Sequence, residues 1–410
     1  MSFEGVLINK SQNGLTKGEN ADRVCILIIG ATELAGKLSH YKPVELLQIE
    51  DLEDLGVTEA TDEVQGELLY HHVSEAFRLA PESVFHLIAV PKTEKVSTLA
   101  TSDELKQAIR SIAGANTIGV AGVAADETLQ TAVAAAQLLV DGFTDEHIYL
   151  DTILLEGVGG YLKESVAVFD DLRAMESPNV TVVIAQDPDV AVKKAAFAGY
   201  AAVGSAIGML AVRAVHENMG SVDIESKPRK RKGEQDYSLT DSKTGKWLNA
   251  ALSDGTKFNA LTGADQKKLN GLGYVYAGMF AGYGGFFFSN SHTATDAGSD
   301  YAFIERNAVW NKAARIIRET LIPRVRSKVQ ADPSTGYIKS TTIQDWGGRI
   351  RKALEPMVAA GNMADFDIYI NPNQLAVSNV PFNVQVRMVA DGVVHEFEID
   401  LGFTNKIQWR

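Results

Sequence analysis

Two stretches of this sequence hold residue types that could do chemistry. Residues 286–301, "FFFSNSHTATDAGSDY", place Ser291, His292 and Asp296 close together, the three side chains of a hydrolytic triad. A triad draws its members from separate elements so that they converge, and on an extended chain Ser291 and His292 diverge. The plainer reading is a polar connection that caps the next helix at Ser299 or Asp300. The second stretch is "GATELAGKLS", directly after an apolar run. Counted from Ala31 it nearly fits a phosphate-binding loop, with Lys37 as the phosphate-binding lysine. Leu38, however, stands where a metal-binding hydroxyl belongs, and Glu33 would put negative charge in the cradle. A strand-to-helix turn explains it more simply, and a P-loop-like nucleotide hydrolase is the alternative.

Nothing else has the spacing of a reactive site. "EGVGGYLKES" lacks the full dinucleotide fingerprint. His71 and His72 are adjacent in a helical pattern and cannot both face one metal, while His395 and Glu396 alternate across a strand. No cluster has metal-ligand spacing. The expectation is therefore no catalytic residue, no metal site and no cofactor.

Some element must position these residues, and the totals bound what it can be. With 410 residues the chain exceeds one compact core, and 45% hydrophobic with 22% charged residues is ordinary for a globular protein. A net charge of -13 argues against nucleic-acid binding, and a single cysteine, Cys25, excludes an internal disulfide and reads as a buried thiol. Residues 195–212 are long enough to span a membrane but consist largely of Ala and Gly, so no insertion is expected. Gly204 and Gly208 have the spacing of a close helix–helix contact. The N-terminus has no apolar signal core, so no export signal is expected.

The pattern along the chain predicts a polar arm over 1–22 and an α/β domain over 23–225. Buried strands are expected in "RVCILIIGAT", "VFHLIAV", "TIGVAGV", "HIYLD" and "VTVVIAQD". Helical patterns lie between them in "SDELKQAIRSIAG", "ADETLQTAVAAAQLLVDGF" and "KESVAVFDDLRAM", and a long helix is expected over 189–218. Strands alternating with helices imply a mainly parallel sheet. Residues 226–245 read as a charged linker containing "KPRKRK". A second α/β domain over 246–378 and a hairpin or arm over 379–410 complete the chain.

The glycine-broken "GLGYVYAGMFAGYGGFFFSNS" predicts two short strands. In the helix after it, Trp310, Ala314, Ile317, Leu321 and Val325 recur on one apolar face. Between residues 303 and 328 seven basic side chains stand against Glu305 and Glu319, a local reversal of sign that would suit an acidic partner. A second helix is predicted over 342–360. Near the C-terminus, Val384, Val386 and Met388 alternate with polar residues, and Asp391-Gly392 is a favoured hairpin turn. Beyond it Val393, His395, Phe397, Ile399 and Leu401 form one face of an expected second strand.

The arm, the α/β unit, "AGYAAVGSAIGMLAVRAVHENMGSV", "YVYAGMFAGYGGFFFSN", "DYAFIERNAVWNKAARIIRETLIPRV" and the terminal strand pair occur in an order that resembles the sheath proteins of contractile phage tails and related injection systems. The resemblance implies a structural subunit that forms hexameric rings in a helical polymer around an inner tube protein. It implies contact with baseplate and tail-terminator proteins, assembly in the bacterial cytoplasm into a virion tail or contractile particle, and no nucleic-acid partner. It also implies that Arg315, Arg318, Arg324 and Arg326, or Arg349, Arg351 and Lys352, face the tube. Strand addition to neighbouring copies would fall to 1–22 and 393–404.

Overall fold

The computed structural model describes residues 22–225, 236–375, 381–395, 397–399 and 403. The N-terminal arm apart from Asp22, the "KPRKRK" core and Leu401 lie outside the described residues. The chain divides into two compact units, Met1–Ser327 and Lys328–Arg410.

In the first unit the sheet begins with β1 (Cys25–Gly30), whose side chains are all buried because the run is apolar on both faces. There follow β2 (Pro43–Leu46), α1 (Ile49–Asp54), α2 (Glu59–Gln65), α3 (Leu69–Leu79), β3 (Phe85–Val90), α4 (Val96–Thr101) and α5 (Asp103–Arg110). The sheet continues through β4 (Thr117–Ala121), α6 (Leu129–Asp145), β5 (Thr152–Glu156) and β6 (Val180–Val183). The strand order is β2-β3-β1-β4-β5-β6, parallel except for the edge strand β2. Helices between parallel neighbours make this the α/β architecture that the alternating pattern predicts. Cys25 is buried, and burial pushes its thiol up to about 12.

Two expected elements differ. "HIYLD" is not a strand: His147 has a positive φ of 65°, and β5 starts only at Thr152. The expected helix in "KESVAVFDDLRAM" is two single 3-10 turns at Val166–Val168 and Leu172–Ala174.

The long helix expected over 189–218 is broken into α7 (Pro188–Ala191) and α8 (Val203–Ala211). Its backbone groups at 198–201 are captured by side chains instead. Gln186 donates to the carbonyls of Ala198 and Tyr200 at 2.9 and 2.8 Å, and the Ala201 amide donates to Glu156 at 2.9 Å. Every residue of α8 is buried. A Cβ on Gly204 would lie 2.1 Å from the His72 carbonyl oxygen, and one on Gly208 would lie 2.8 Å from that of Ala76. These two glycines let α8 lie directly on the backbone of α3, the contact their spacing predicts.

Glu75 on α3 joins this layer to the rest of the unit. Arg78 donates to it in bidentate fashion at 2.9 and 2.7 Å, Ser205 at 3.0 Å and Trp247 Nε1 at 3.2 Å. Burial alone would raise its carboxyl, but Arg78 holds it down to about 2.

The chain after the expected linker returns to the same core. β8 (Ala251–Leu252) pairs with β7 (Ala185–Gln186), and Tyr237 and Trp247 are buried in the cluster that holds β1. The expected boundary at 226–245 thus does not coincide with the division of the compact units. After α9 (Gly263–Leu272), the glycine-broken segment forms the predicted short antiparallel pair, β9 (Ala277–Gly278) and β10 (Phe287–Phe288). The unit closes with α10 (Ile304–Leu321).

The second unit has its own small core of Ile338, Trp346 and Ile370. It contains α11 (Ser340–Ala359), β11 (Asp365–Ile370) and β12 (Val384–Val389), the last two antiparallel. A C-terminal antiparallel pair is present, as expected, but its register differs. β12 pairs with β11 and not with residues beyond Asp391-Gly392, and the described residues among 391–399 carry no strand. The alternation in "DFDIYI" competes for the same partner, with Phe366 and Ile370 buried.

Gly204→Ala should lower the unfolding free energy by about 1–3 kcal/mol in urea titrations, because a backbone carbonyl leaves nowhere to repack. Gly271→Ala, with nothing within 4 Å of the added Cβ, should leave the midpoint unchanged or slightly raised.

Candidate functional site

The stretch that suggested a triad is a structural network. Ser291 is fully buried and its hydroxyl donates to Glu305, while Asn218 Nδ2 donates to Ser291 at 2.8 Å and to Glu305 at 3.0 Å. His292 turns the other way, with Nδ1 2.8 Å from Arg173 Nη2. The two side chains diverge, so no proton can pass between them. The expected cap at Ser299 or Asp300 is not formed: the N-cap of α10 is Phe303, with no side-chain cap bond. Ser299 instead accepts from the Tyr301 amide at 3.2 Å, one residue group earlier in the turn.

The "GATELAGKLS" turn is likewise no phosphate cradle. It closes on itself through the Leu34–Leu38 bridge and leads into β2, so the chain continues as a strand and the expected strand-to-helix turn is not formed. Lys37 Nζ donates to the Asp54 carbonyl at 3.2 Å.

The basic helix α10 presents a different face to the core than periodicity predicts. Trp310 and Val325 are 41% and 67% exposed, whereas Glu305, Asn307 and Asn311 are buried. Buried polar groups persist only where they are hydrogen-bonded. Asn307 donates to the Pro178 carbonyl at 2.7 Å, and Asn311 donates to the Leu150 carbonyl at 3.0 Å and to Asp151 at 2.9 Å.

Asp151 is the centre of this arrangement. Its side chain has no solvent exposure, and it lies 3.6 Å from Arg23 and 3.5 Å from Arg315. Burial pushes its carboxyl up, against the pull of Arg315 and Arg23. Next to it Lys312 pairs with Asp22 at 2.7 Å, and Asn116 holds the Asp22 carbonyl at 2.9 Å. The chain leaving the N-terminal segment is therefore tied to α10 and to the entry of β5 by two adjacent ion pairs. Sequence reading missed Asp151 because its partners lie more than a hundred residues away on either side.

This places the basic residues in two groups. Arg315 is turned inward, and it also donates to the Tyr149 carbonyl at 3.1 Å. Arg318 and Arg326 are exposed and Arg324 is half-buried; none of the three forms an ion pair among the described residues. In the second unit Arg349 pairs with Asp345 at 2.9 Å, Arg351 lies over the Phe366 ring at 5.7 Å, and Lys352 is exposed.

At the C-terminus, Val393, His395, Phe397 and Ile399 are all exposed, Phe397 and Ile399 to 80% and 78%. Among the described residues β12 pairs only with β11, which leaves its outer edge open. An open strand edge beside exposed apolar residues is what strand pairing between chains uses. No helix among the described residues is long and apolar enough to cross a membrane, and no group of three or more His, Cys, Asp or Glu side chains among them could hold a metal.

The architecture is that of the contractile tail sheath proteins. A chain of the anti-feeding prophage helical sheath in the contracted state shares it with a TM-score of 0.63 at 16% identity, covering 99% of this chain and 100% of that one. A chain of the six-fold symmetrised anti-feeding prophage baseplate matches with a TM-score of 0.61, again at 16% identity and over 99% and 100%. A chain of that baseplate in its contracted state matches at 0.52 and 10% identity, over 98% of each chain. The protein belongs to the DUF2586 family, matching "DUF2586, N-terminal domain" over residues 3–292 and "DUF2586, C-terminal domain" over 300–408. No curated protein matches it by sequence.

Asp151→Ala should cost about 3–5 kcal/mol of unfolding free energy, since it leaves Arg23 buried without a counter-charge. Replacing Arg23 by Met in the same chain should recover part of that loss in urea titrations. Recovery of nothing would mean that the two do not act as a pair.

Proposed function

We propose that this chain is a structural subunit of a contractile tail sheath. Copies stack as hexameric rings in a helical polymer around an inner tube, and contraction drives the tube through a target envelope. The sheath fold, matched from end to end, is the observation that carries this reading. The particle would be a virion tail or a related contractile device, assembled in the bacterial cytoplasm and bounded by baseplate and tail-terminator proteins.

The C-terminal segment supports a role in the polymer. Val393, His395, Phe397 and Ile399 would add to a neighbouring copy, whose β12 has no strand partner other than β11 among the described residues. Leu401 and residues 1–22 would extend the same exchange. Head-to-tail contacts of this kind generate open helical assemblies. Deleting residues 393–410 should leave a folded chain that no longer forms long striated tubes in electron micrographs. Normal tubes from that truncation would sink the strand-exchange reading.

For the tube, the candidates are Arg318, Arg324 and Arg326, or Arg349, Arg351 and Lys352. Arg315, tied to Asp151, contributes less than the others. Arg318→Glu combined with Arg326→Glu should reduce co-sedimentation with an acidic tube protein, more at low salt than at high salt. Arg349→Glu with Lys352→Glu tests the other set in the same assay. A loss confined to one pair identifies the docking face, and no loss in either means that both faces are simply solvated.

A further inference from the structure

The two sides of α10 are exchanged relative to an ordinary surface helix. Its polar residues Asn307 and Asn311 are buried, while the apolar face that periodicity assigns to the core points outward. Arg306, Trp310, Ala314, Ile317 and Leu321 follow one another at three or four residues and so form one stripe along the helix. Trp310 is 41% exposed, Ala314, Ile317 and Leu321 are half-buried, and no residue of α10 beyond Ala313 is buried. Tyr149 and Tyr301 stand edge-on to the Trp310 ring, with centroids at 6.1 and 6.4 Å. Single exposed apolar side chains are ordinary, but a continuous stripe with an aromatic end and arginines on its border has the composition of a binding surface.

The N-terminal segment enters the fold on this same helix. Its first described residue, Asp22, pairs with Lys312 of α10 at 2.7 Å, and Asn116 holds the Asp22 carbonyl at 2.9 Å. Lys312 is two residues from Trp310 and therefore on the opposite side of the helix, so the segment must pass around α10 to reach the stripe. Residues 1–21 contain "FEGVLI" at 3–8, in which Phe3, Val6, Leu7 and Ile8 are apolar. From Ile8 to Asp22 an extended chain reaches about 45 Å, whereas α10 rises only about 14 Å from Lys312 to Leu321. The whole stripe is within range.

Tethering favours this segment over the surface of a second copy. A segment joined to its target by a short linker meets it at an effective concentration in about the millimolar range, far above that of dilute subunits. Charge agrees: Glu4 is the only charged residue of "FEGVLI", and the exposed Arg306 and Arg318 border the stripe.

We propose that in the free subunit residues 3–8 fold back onto the outward stripe of their own α10, covering Trp310, Ile317 and Leu321. The contact lies within one subunit and is independent of whether the subunits polymerise. One consequence does rest on the sheath reading. Arg318 borders the stripe, so a segment lying there covers a residue proposed to face the tube and must leave before that face can be used.

Disulfide trapping in the full chain tests it, since Cys25, the one native cysteine, is buried. Val6→Cys with Ala314→Cys joins the middle of the segment to the middle of the stripe, whichever way the segment lies. Mild oxidation of dilute protein should close this pair within one chain at least about tenfold faster than Val6→Cys with Leu138→Cys, whose second thiol sits at a 69% exposed position on α6. Ile317→Asp added to the first pair should slow it to the rate of the second. Removing residues 1–21 should speed amide hydrogen exchange in the last two turns of α10 by about tenfold or more, and a peptide of residues 1–21 at millimolar concentration should reverse the change. The proposal fails if the two pairs close at the same rate, if the first pair closes only between chains, if Ile317→Asp leaves its rate unchanged, or if exchange in α10 does not respond to the truncation or to the peptide.

Discussion

A carboxylate with no access to water holds three parts of the first unit together. Asp151 sits between Arg23 and Arg315 and takes a further hydrogen bond from Asn311. A charge in that position is costly unless it is fully surrounded by partners, so its position fixes theirs. The exit of the N-terminal segment, the entry to β5 and the middle of α10 are thereby set to within ion-pair distance of one another. The Asp22–Lys312 pair repeats the connection one residue earlier. If the proposed arm carries load between subunits, that load reaches the body of the protein through this cluster. It would arrive as shear across several short polar contacts.

The same arrangement accounts for the character of α10. A helix bearing so many basic residues reads as a docking surface, yet part of its charge serves the interior. Arg315 and Lys312 neutralise acids of their own chain, and what remains outward is Arg306 and Arg318 on the helix, with Arg326 and Lys328 just after it. The polar residues Glu305, Asn307 and Asn311 face inward for a related reason. Asn307 and Asn311 bond backbone carbonyls of the loops before β6 and β5, and Glu305 takes hydrogen bonds from Ser291 and Asn218.

Sequence alone made the central sheet legible and left the polar interior hidden. The runs around Cys25, Phe85, Thr117 and Val180 are apolar on both faces, and a parallel sheet is the ordinary way to bury them. The glycine pair at 204 and 208 signalled a close helix contact for the same simple steric reason. Periodicity failed on α10 because it assumes that buried means apolar, whereas there the partners of Asn307 and Asn311 come from residues 178 and 150–151. It failed at 198–201 because Gln186 and Glu156 take backbone groups that a helix would have used. At the C-terminus it assigned residues 393–401 as the partner of the strand at 384–388 and passed over "DFDIYI", which alternates equally well and is the strand that β12 pairs with.

The contact between α3 and α8 has one more property. Gly204 and Gly208 lie against backbone oxygens of His72 and Ala76 and not against their side chains. When two side chains touch, a larger residue on one can be matched by a smaller one on its partner. A carbonyl has nothing to shrink. These two positions can therefore change only if the helices themselves move apart, and among related sequences they should stay fixed while leaving no trace of correlated substitution across the interface.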